Sequence, residues 1–337
     1  MFTIESYGVA VVACMVAMVC WGSWQNTTNL ASRALGRPWR FELYYWDFVS
    51  GILLVAILYA LTFGSMGSVG RSFSTDLAQA STSSIASAMI GGMIWNLGTL
   101  LLVAAIAMTG MSVAFPIGGG IGWLLGILVN YIAAPVGNPV FLFSGMAVVA
   151  VAIYLSMRSY RLLAKQTARP PLKGIVLAFA AGILIAFFYR FAGASLVADF
   201  AQPETGKLTP YTALVFFALG AWLSTFLANP FFMRKPVEGT PVRFADYRGV
   251  PARIHLLGVV GGGIWTSGMM ASLLASGKAG FAISYGLSNA APVVAALWGL
   301  LVWREFATAP PGTHRLLSGM FICYLIGLVL IVVARLT

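Results

Sequence analysis

Gly91-Gly92-Met93-Ile94-Trp95-Asn96-Leu97-Gly98 returns 170 residues later as Gly261-Gly262-Gly263-Ile264-Trp265-Thr266-Ser267-Gly268. Both copies lie inside apolar runs, and each run ends at one glycine, Gly110 or Gly280, before the next begins. Paired glycines on a helix face are a common packing device in membrane bundles, because they let two backbones approach closely. Convergence could produce one such match. The same offset, however, also maps the first apolar segment onto the sixth, the second onto the seventh and the fifth onto the tenth.

Those segments are membrane spans. The chain has 337 residues, 60% hydrophobic and 9% charged, and its mean hydropathy of +0.90 excludes a water-soluble globular protein. Lipid cannot satisfy backbone hydrogen bonds, and apolar runs of about 20 residues select helices over the short alternating strands of a barrel. Hydropathy predicts helices at 6–31, 42–63, 83–107, 111–133, 139–157, 172–196, 210–230, 253–275, 280–303 and 315–335. Five helices per copy is an odd number, so the second copy must enter the membrane from the opposite side. The predicted fold class is an all-α integral membrane protein, ten transmembrane helices arranged as two inverted five-helix repeats. The first repeat would span 1–157 and the second 172–337, with 158–171 a cytoplasmic connection. Inverted repeats recur in secondary transporters, where two copies supply two gates around one central site.

The formal charge of +11 follows from topology. The odd-numbered connections hold fifteen Lys and Arg residues against four in the even connections and termini, with Arg190 inside predicted helix six. The odd loops are therefore predicted to be cytoplasmic and both termini outside, in a plasma or bacterial inner membrane. The basic residues imply lipid as a partner, not nucleic acid. Cys14, Cys20 and Cys323 all sit in apolar runs and imply no disulfide framework. Glu5 precedes the first apolar segment where a signal peptide would carry basic residues, so that segment reads as a retained helix.

Enzyme chemistry has little to work with. The histidines are His255 and His314, and no HExxH, GxSxG or GxxxxGK[ST] pattern occurs. No cofactor or metal site is expected.

Function must therefore come from the few polar groups inside the spans, each of which costs about 2.5 to 3.5 kcal/mol if it is an unpaired charge. They are Gln25, Asn26, Thr27, Thr28 and Asn29 in helix one, Asp47 in two, Asn96 in three, Arg190 in six, and Ser284, Ser288 and Asn289 in nine. Within Cys20-Trp21-Gly22-Ser23-Trp24-Gln25-Asn26, an unbroken helix puts Trp21, Gln25 and Thr28 on one face. That ribbon would set an indole against a solute's apolar face while amides take its polar groups. Trp95, Asn96 and Trp265 repeat the theme, and Asn289 joins them as a binding residue. Asp47 lies about 7.5 Å along the axis beyond Glu42, deep enough to serve as the proton-coupling carboxylate, or else to bond Tyr44 or a neighbouring helix. Arg190, about 25 Å of rise beyond Lys173, should reach Glu5 or Asp199 near the outer face and act in gating. Pro116, in Phe115-Pro116-Ile117-Gly118-Gly119-Gly120-Ile121-Gly122, and Pro292, in Ser288-Asn289-Ala290-Ala291-Pro292, remove backbone donors and predict bends.

Ten helices in two inverted repeats with short loops resemble the drug/metabolite transporter superfamily. The stretch Ile4 to Gly67, which contains Trp21 to Asn26 and Phe41-Glu42-Leu43-Tyr44-Tyr45-Trp46-Asp47, is similar to the opening of the ureide permeases, near the glucose/ribose and rhamnose porters. The resemblance implies proton-coupled uptake of a small polar solute. The plant members carry a long central loop where this chain has 158–171, and Gly22-Ser23-Trp24-Gln25 stands where they have GTWP. With that substitution the expected solute is a sugar ahead of a ureide. The expectation is a secondary active importer working by alternating access with protons. Its rivals are a ureide or nucleoside importer, an exporter of drugs or metabolites, and a membrane scaffold without transport.

Overall fold

The computed structural model describes residues 1–164, 171–237 and 239–337. Ten helices are long and apolar enough to cross a bilayer, so the chain is an all-helical integral membrane protein. In the first half, α1 (Tyr7–Ser23) and α2 (Asn26–Leu35) form span one, and α3 (Phe41–Leu61), α5 (Thr82–Thr109), α6 (Met111–Ala133) and α7 (Pro139–Ala164) follow, with a short α4 (Phe73–Gln79) before α5. In the second half come α8 (Leu172–Ser195), α9 (Pro210–Arg234), a short α10 (Phe244–Arg248) and α11 (Ala252–Ala279). Span nine consists of α12 (Phe281–Ser288), α13 (Pro292–Leu297) and a π-turn at Trp298–Val302, and α14 (Thr313–Val333) is the last.

Local signals set the ends. Ser6, Ser72 and Ser81 cap α1, α4 and α5 by accepting hydrogen bonds from Val9, Thr75 and Ser84, Pro210 opens α9, and Gly36 closes α2 at φ 67°. Gly110 and Gly280, the turn glycines of the sequence match, adopt φ 76°, ψ 161° and φ 80°, ψ 160°. Side chains rarely adopt that conformation, so each turn requires its glycine.

The matched glycines are sockets for a neighbouring backbone. A Cβ at Gly262 would collide with the Phe48 carbonyl, and one at Gly92 with the Phe217 carbonyl. Conversely, Gly51 receives the Val259 carbonyl and Gly220 receives that of Met89. Helix α11 thus packs on α3 as α5 packs on α9, α11 also meets α1 as α5 meets α8, and α7 lies against α14. The two arrangements are the same in kind.

Several predicted boundaries move. The first predicted helix breaks at Trp24 and Gln25, and the ninth breaks at 289–291 before Pro292. Pro116, by contrast, sits within the continuous α6. Helix α7 runs on to Ala164, so the predicted connection 158–171 begins as helix; its residues 165–170 lie outside the described residues. Both α4 and α10 occupy stretches read from sequence as plain connections.

Candidate functional site

Aromatic side chains from both halves meet in the middle of the bundle. Trp265 on α11 lies with ring centroids 5.9 Å from Trp21 on α1, 4.1 Å from Trp95 on α5 and 5.9 Å from Phe217 on α9. Trp95 continues to Phe48 on α3 at 6.3 Å, and Phe48 to Trp24 at 4.5 Å. The Trp21 indole N–H donates to the Trp265 carbonyl at 3.0 Å. Trp21, Trp95 and Trp265 are 8%, 5% and 5% exposed, so in this conformation the rings fill the centre themselves. Each such pair adds roughly 0.5–1.5 kcal/mol beyond area burial.

The structure brings together three of the predicted binding residues and separates the others. Gln25 is exposed, because the buried face of span one runs through Cys14, Ala17, Trp21, Trp24, Thr27 and Ala31 and passes it by. Trp24 is buried against Phe48. Asn96 is fully buried, but beside Trp95 on a helix it faces another way: Oδ1 accepts from Tyr45 at 2.6 Å and Nδ2 donates to Ser224 at 2.8 Å. Its amide is committed to α3 and α9. Ser23 and Asn26 instead hold the end of span nine, accepting from the indoles of Trp298 at 2.8 Å and Trp303 at 2.6 Å.

Asn289 donates to the Tyr285 carbonyl at 3.1 Å and, with Pro116 and Pro292, lines a small cavity of about 30 Å³. That is room for a single water. The adjoining spans four and nine are tied reciprocally, Trp123 to the Gly286 carbonyl at 2.9 Å and Tyr285 to the Gly122 carbonyl at 2.8 Å.

Asp47 sits toward the end of the bundle where α3 and α11 begin, the end with the basic loops. It is 5% exposed. Tyr247 on α10 donates to Oδ1 at 2.5 Å, and His255 Nδ1 lies 2.9 Å from Oδ2. The Tyr247 and His255 rings meet edge to face at 4.5 Å. Burial, then the hydrogen bond to Asp47, raises the Tyr247 hydroxyl above its ordinary range, so it remains a proton donor. Tyr44, the partner named from sequence, bonds Thr27 at 2.7 Å instead.

The opposite end is closed differently. Asp76 on α4, fully buried, takes Arg71 Nε at 2.8 Å and the Thr209 backbone N–H at 2.7 Å. Arg71 also donates to the carbonyls of Pro203, Glu204 and Lys207, stitching the connection 62–81 to 196–209. The segment from Met1 adds a cover: Phe2 N–H donates to the Phe63 carbonyl at 2.9 Å, and Tyr211 to the Phe2 carbonyl at 3.1 Å. Arg190 is half-buried, and among the described residues it forms no ion pair; neither Glu5 nor Asp199 reaches it. Those two carboxylates line a polar cavity of 440 Å³ with Lys278. At the basic end a cavity of 420 Å³ opens between α3, α5 and α9, with Arg40 and Glu42 on its rim.

Sequence reasoning missed Tyr247, His255, Asp76 and the ring chain through Phe48 and Phe217. One signal was present. His255, Gly258 and Gly262 stand at i, i+3 and i+7, and a Cβ on Gly258 would strike Asp47, so the glycine face that receives α3 also carries the histidine to the carboxylate. Among the described residues no group of three His, Cys, Asp or Glu side chains could hold a metal ion.

The ureide permease family profile matches residues 44–169 and 158–334. Ureide permease 1 of Arabidopsis thaliana is 25% identical, with the alignment covering 97% of each chain. Ureide permease 2 of the same plant is 24% identical over 96% of each, and ureide permease 3 is 30% identical over 45% of this chain and 44% of its own. A crystal structure whose description names no function superposes with TM-score 0.62 at 19% identity, covering 98% of this chain and 99% of the other, a likeness of fold.

Proposed function

The chain belongs to the ureide permease family and is a membrane transporter, and from that premise we propose that it imports a ureide by alternating access, driven by protons. The sugar expected from the GTWP substitution finds no support among these relatives, whose names point to ureides. A ureide carries a flat N–C(=O)–N unit: its faces suit indoles and its edge carries hydrogen-bond donors and acceptors. The observation that carries the reading is the meeting of Trp21, Trp95 and Trp265, from spans one, three and eight, in one buried centre. These rings part to admit the solute and close on one another when it leaves.

The two halves act as inverted repeats around this centre, with the basic end cytoplasmic in a plasma membrane. Asp47 is the coupling group. Tyr247 and His255 offer its carboxylate one O–H and one ring nitrogen, so a proton arriving at Asp47 removes the negative charge that both partners face and weakens the tie that joins α3, α10 and α11. Proton binding thereby opens the cytoplasmic end. Asn289, Pro116 and Pro292 lie together where spans four and nine must bend for the centre to widen. Arg190, free of an ion pair among the described residues, is assigned to the outer gate.

The test is uptake of a radiolabelled ureide such as allantoin, and of a sugar, into vesicles holding the purified protein with an imposed proton gradient. Gradient-dependent allantoin accumulation, reduced at least about tenfold by Trp265→Ala, is expected. Accumulation of the sugar alone would overturn the reading.

A further inference from the structure

Between the tryptophan centre and the end opposite the basic loops, spans six, eight and nine bring together hydroxyl groups beside a thiol from span one. Tyr189 OH on α8 lies 2.9 Å from Ser272 Oγ on α11 and 3.0 Å from Ser284 Oγ on α12, all three fully buried. One helical turn along α12 from Ser284, on the same face, comes Ser288. It is also 0% exposed, and its Oγ meets no oxygen or nitrogen partner among the described residues, only the weakly hydrogen-bonding thiol of Cys14. Cys14 on α1, buried, faces it. Ser272 is seven residues beyond Trp265, about 10 Å along α11.

The unpaired hydroxyl is the informative one. A serine inside a helix ordinarily satisfies itself by donating to a carbonyl three or four residues back, as Ser267, Ser276 and Ser284 do here. Ser288 does not, although leaving a buried hydroxyl unmet costs about 1–3 kcal/mol. It stands at the last residue of α12, immediately before the break at 289–291. The cluster contains no charged group.

We propose that Tyr189, Ser272, Ser284 and Ser288 form a second solute site, beside Cys14 and on the outer side of the tryptophan centre, for a neutral ligand offering both N–H donors and a carbonyl acceptor. The ligand class rests on the ureide reading. Hydroxyls suit such a group because each can donate or accept by rotation. In this conformation three of them satisfy one another and the fourth waits; the incoming ureido edge replaces those mutual bonds and gives Ser288 its partner. The solute is held here before it passes between the indoles.

Cys14 makes the site testable, since Cys20 and Cys323 are the other two thiols. In the C20S/C323S protein, reconstituted in vesicles, the rate of Cys14 modification by methyl methanethiosulfonate is measured with and without saturating allantoin. Protection of at least fivefold is expected. Ser288→Ala is expected to raise KM about tenfold with little change in kcat, and to raise the thermal midpoint, because it removes an unmet buried hydroxyl. A purely structural serine would leave KM unchanged. Allantoin uptake with unprotected Cys14 and an unchanged KM overturns the site and leaves the transport reading standing. Absence of ureide uptake by parent and variant alike overturns both.

Discussion

The two ends of the bundle are built on one scaffold and closed by different chemistry. At one end α10 leads into α11; at the other α4 leads into α5, 170 positions earlier, and Asp246 of α10 stands where Asp76 stands in α4. Where the first end has His255 the second has Ile85, Leu77 occupies the place of Tyr247 and, in the register that pairs Gly51 with Gly220, Phe216 that of Asp47. The basic end is thus held by a carboxylate set between a tyrosine hydroxyl and an imidazole. The other is held by an arginine, backbone carbonyls and a fully buried aspartate, and arginine keeps its charge at any working pH. Shared helices give the two ends the same way of packing. Their differing side chains close them in different ways.

The comparison can be broken most severely at what the ends share. Gly262→Val and Gly92→Val each drive a methyl into a backbone carbonyl, which cannot rotate aside as a side chain can. Each should cost about 3 kcal/mol or more, read as loss of the folded fraction on heating in detergent. A large effect in one half with none in the other would show that the halves are not equivalent. Next, Asp76→Asn removes the anion facing Arg71 and should cost about 3 kcal/mol of stability, while the pH profile of transport keeps its midpoint.

Asp47→Asn should do the reverse. Its thermal midpoint should change little, but proton-driven accumulation should fall at least about tenfold while counterflow between two pools of solute persists; intact accumulation would assign coupling elsewhere. Tyr247→Phe removes one hydrogen bond from Asp47, about 1 kcal/mol, and should move the pH midpoint of uptake by less than a unit. Gln25→Ala, at an exposed position, should leave both stability and uptake within about 0.5 kcal/mol of the parent. A strong uptake defect there would return the helix-one ribbon to the binding site.

The legibility of these features followed their physics. Spans were readable because lipid forces the backbone to satisfy itself, and the paired glycines were readable because close helix approach tolerates little else. Asp47 could be singled out as an acid too deep for a loop. Its partners were hidden, since Tyr247 rides on a five-residue helix inside what looked like a connection. Gln25 was misplaced for a related reason: Trp24 and Gln25 lie three and four residues beyond Trp21, and helix spacing alone does not say which of these two neighbours the core takes. Ring contacts such as Phe48 with Trp95 depend on which helices are neighbours, and a single sequence does not carry that information.

The reciprocal sockets at Gly51, Gly92, Gly220 and Gly262 have a bearing on the lipid itself. A carbonyl lodged in a glycine notch resists sliding along the helix axis, so α3 with α11, and α5 with α9, can change their angle to the bilayer normal more easily than their relative height. Thickness of the hydrocarbon layer then acts on these pairs as a torque. Vesicles made from progressively longer acyl chains should show turnover passing through a maximum, with solute affinity nearly constant.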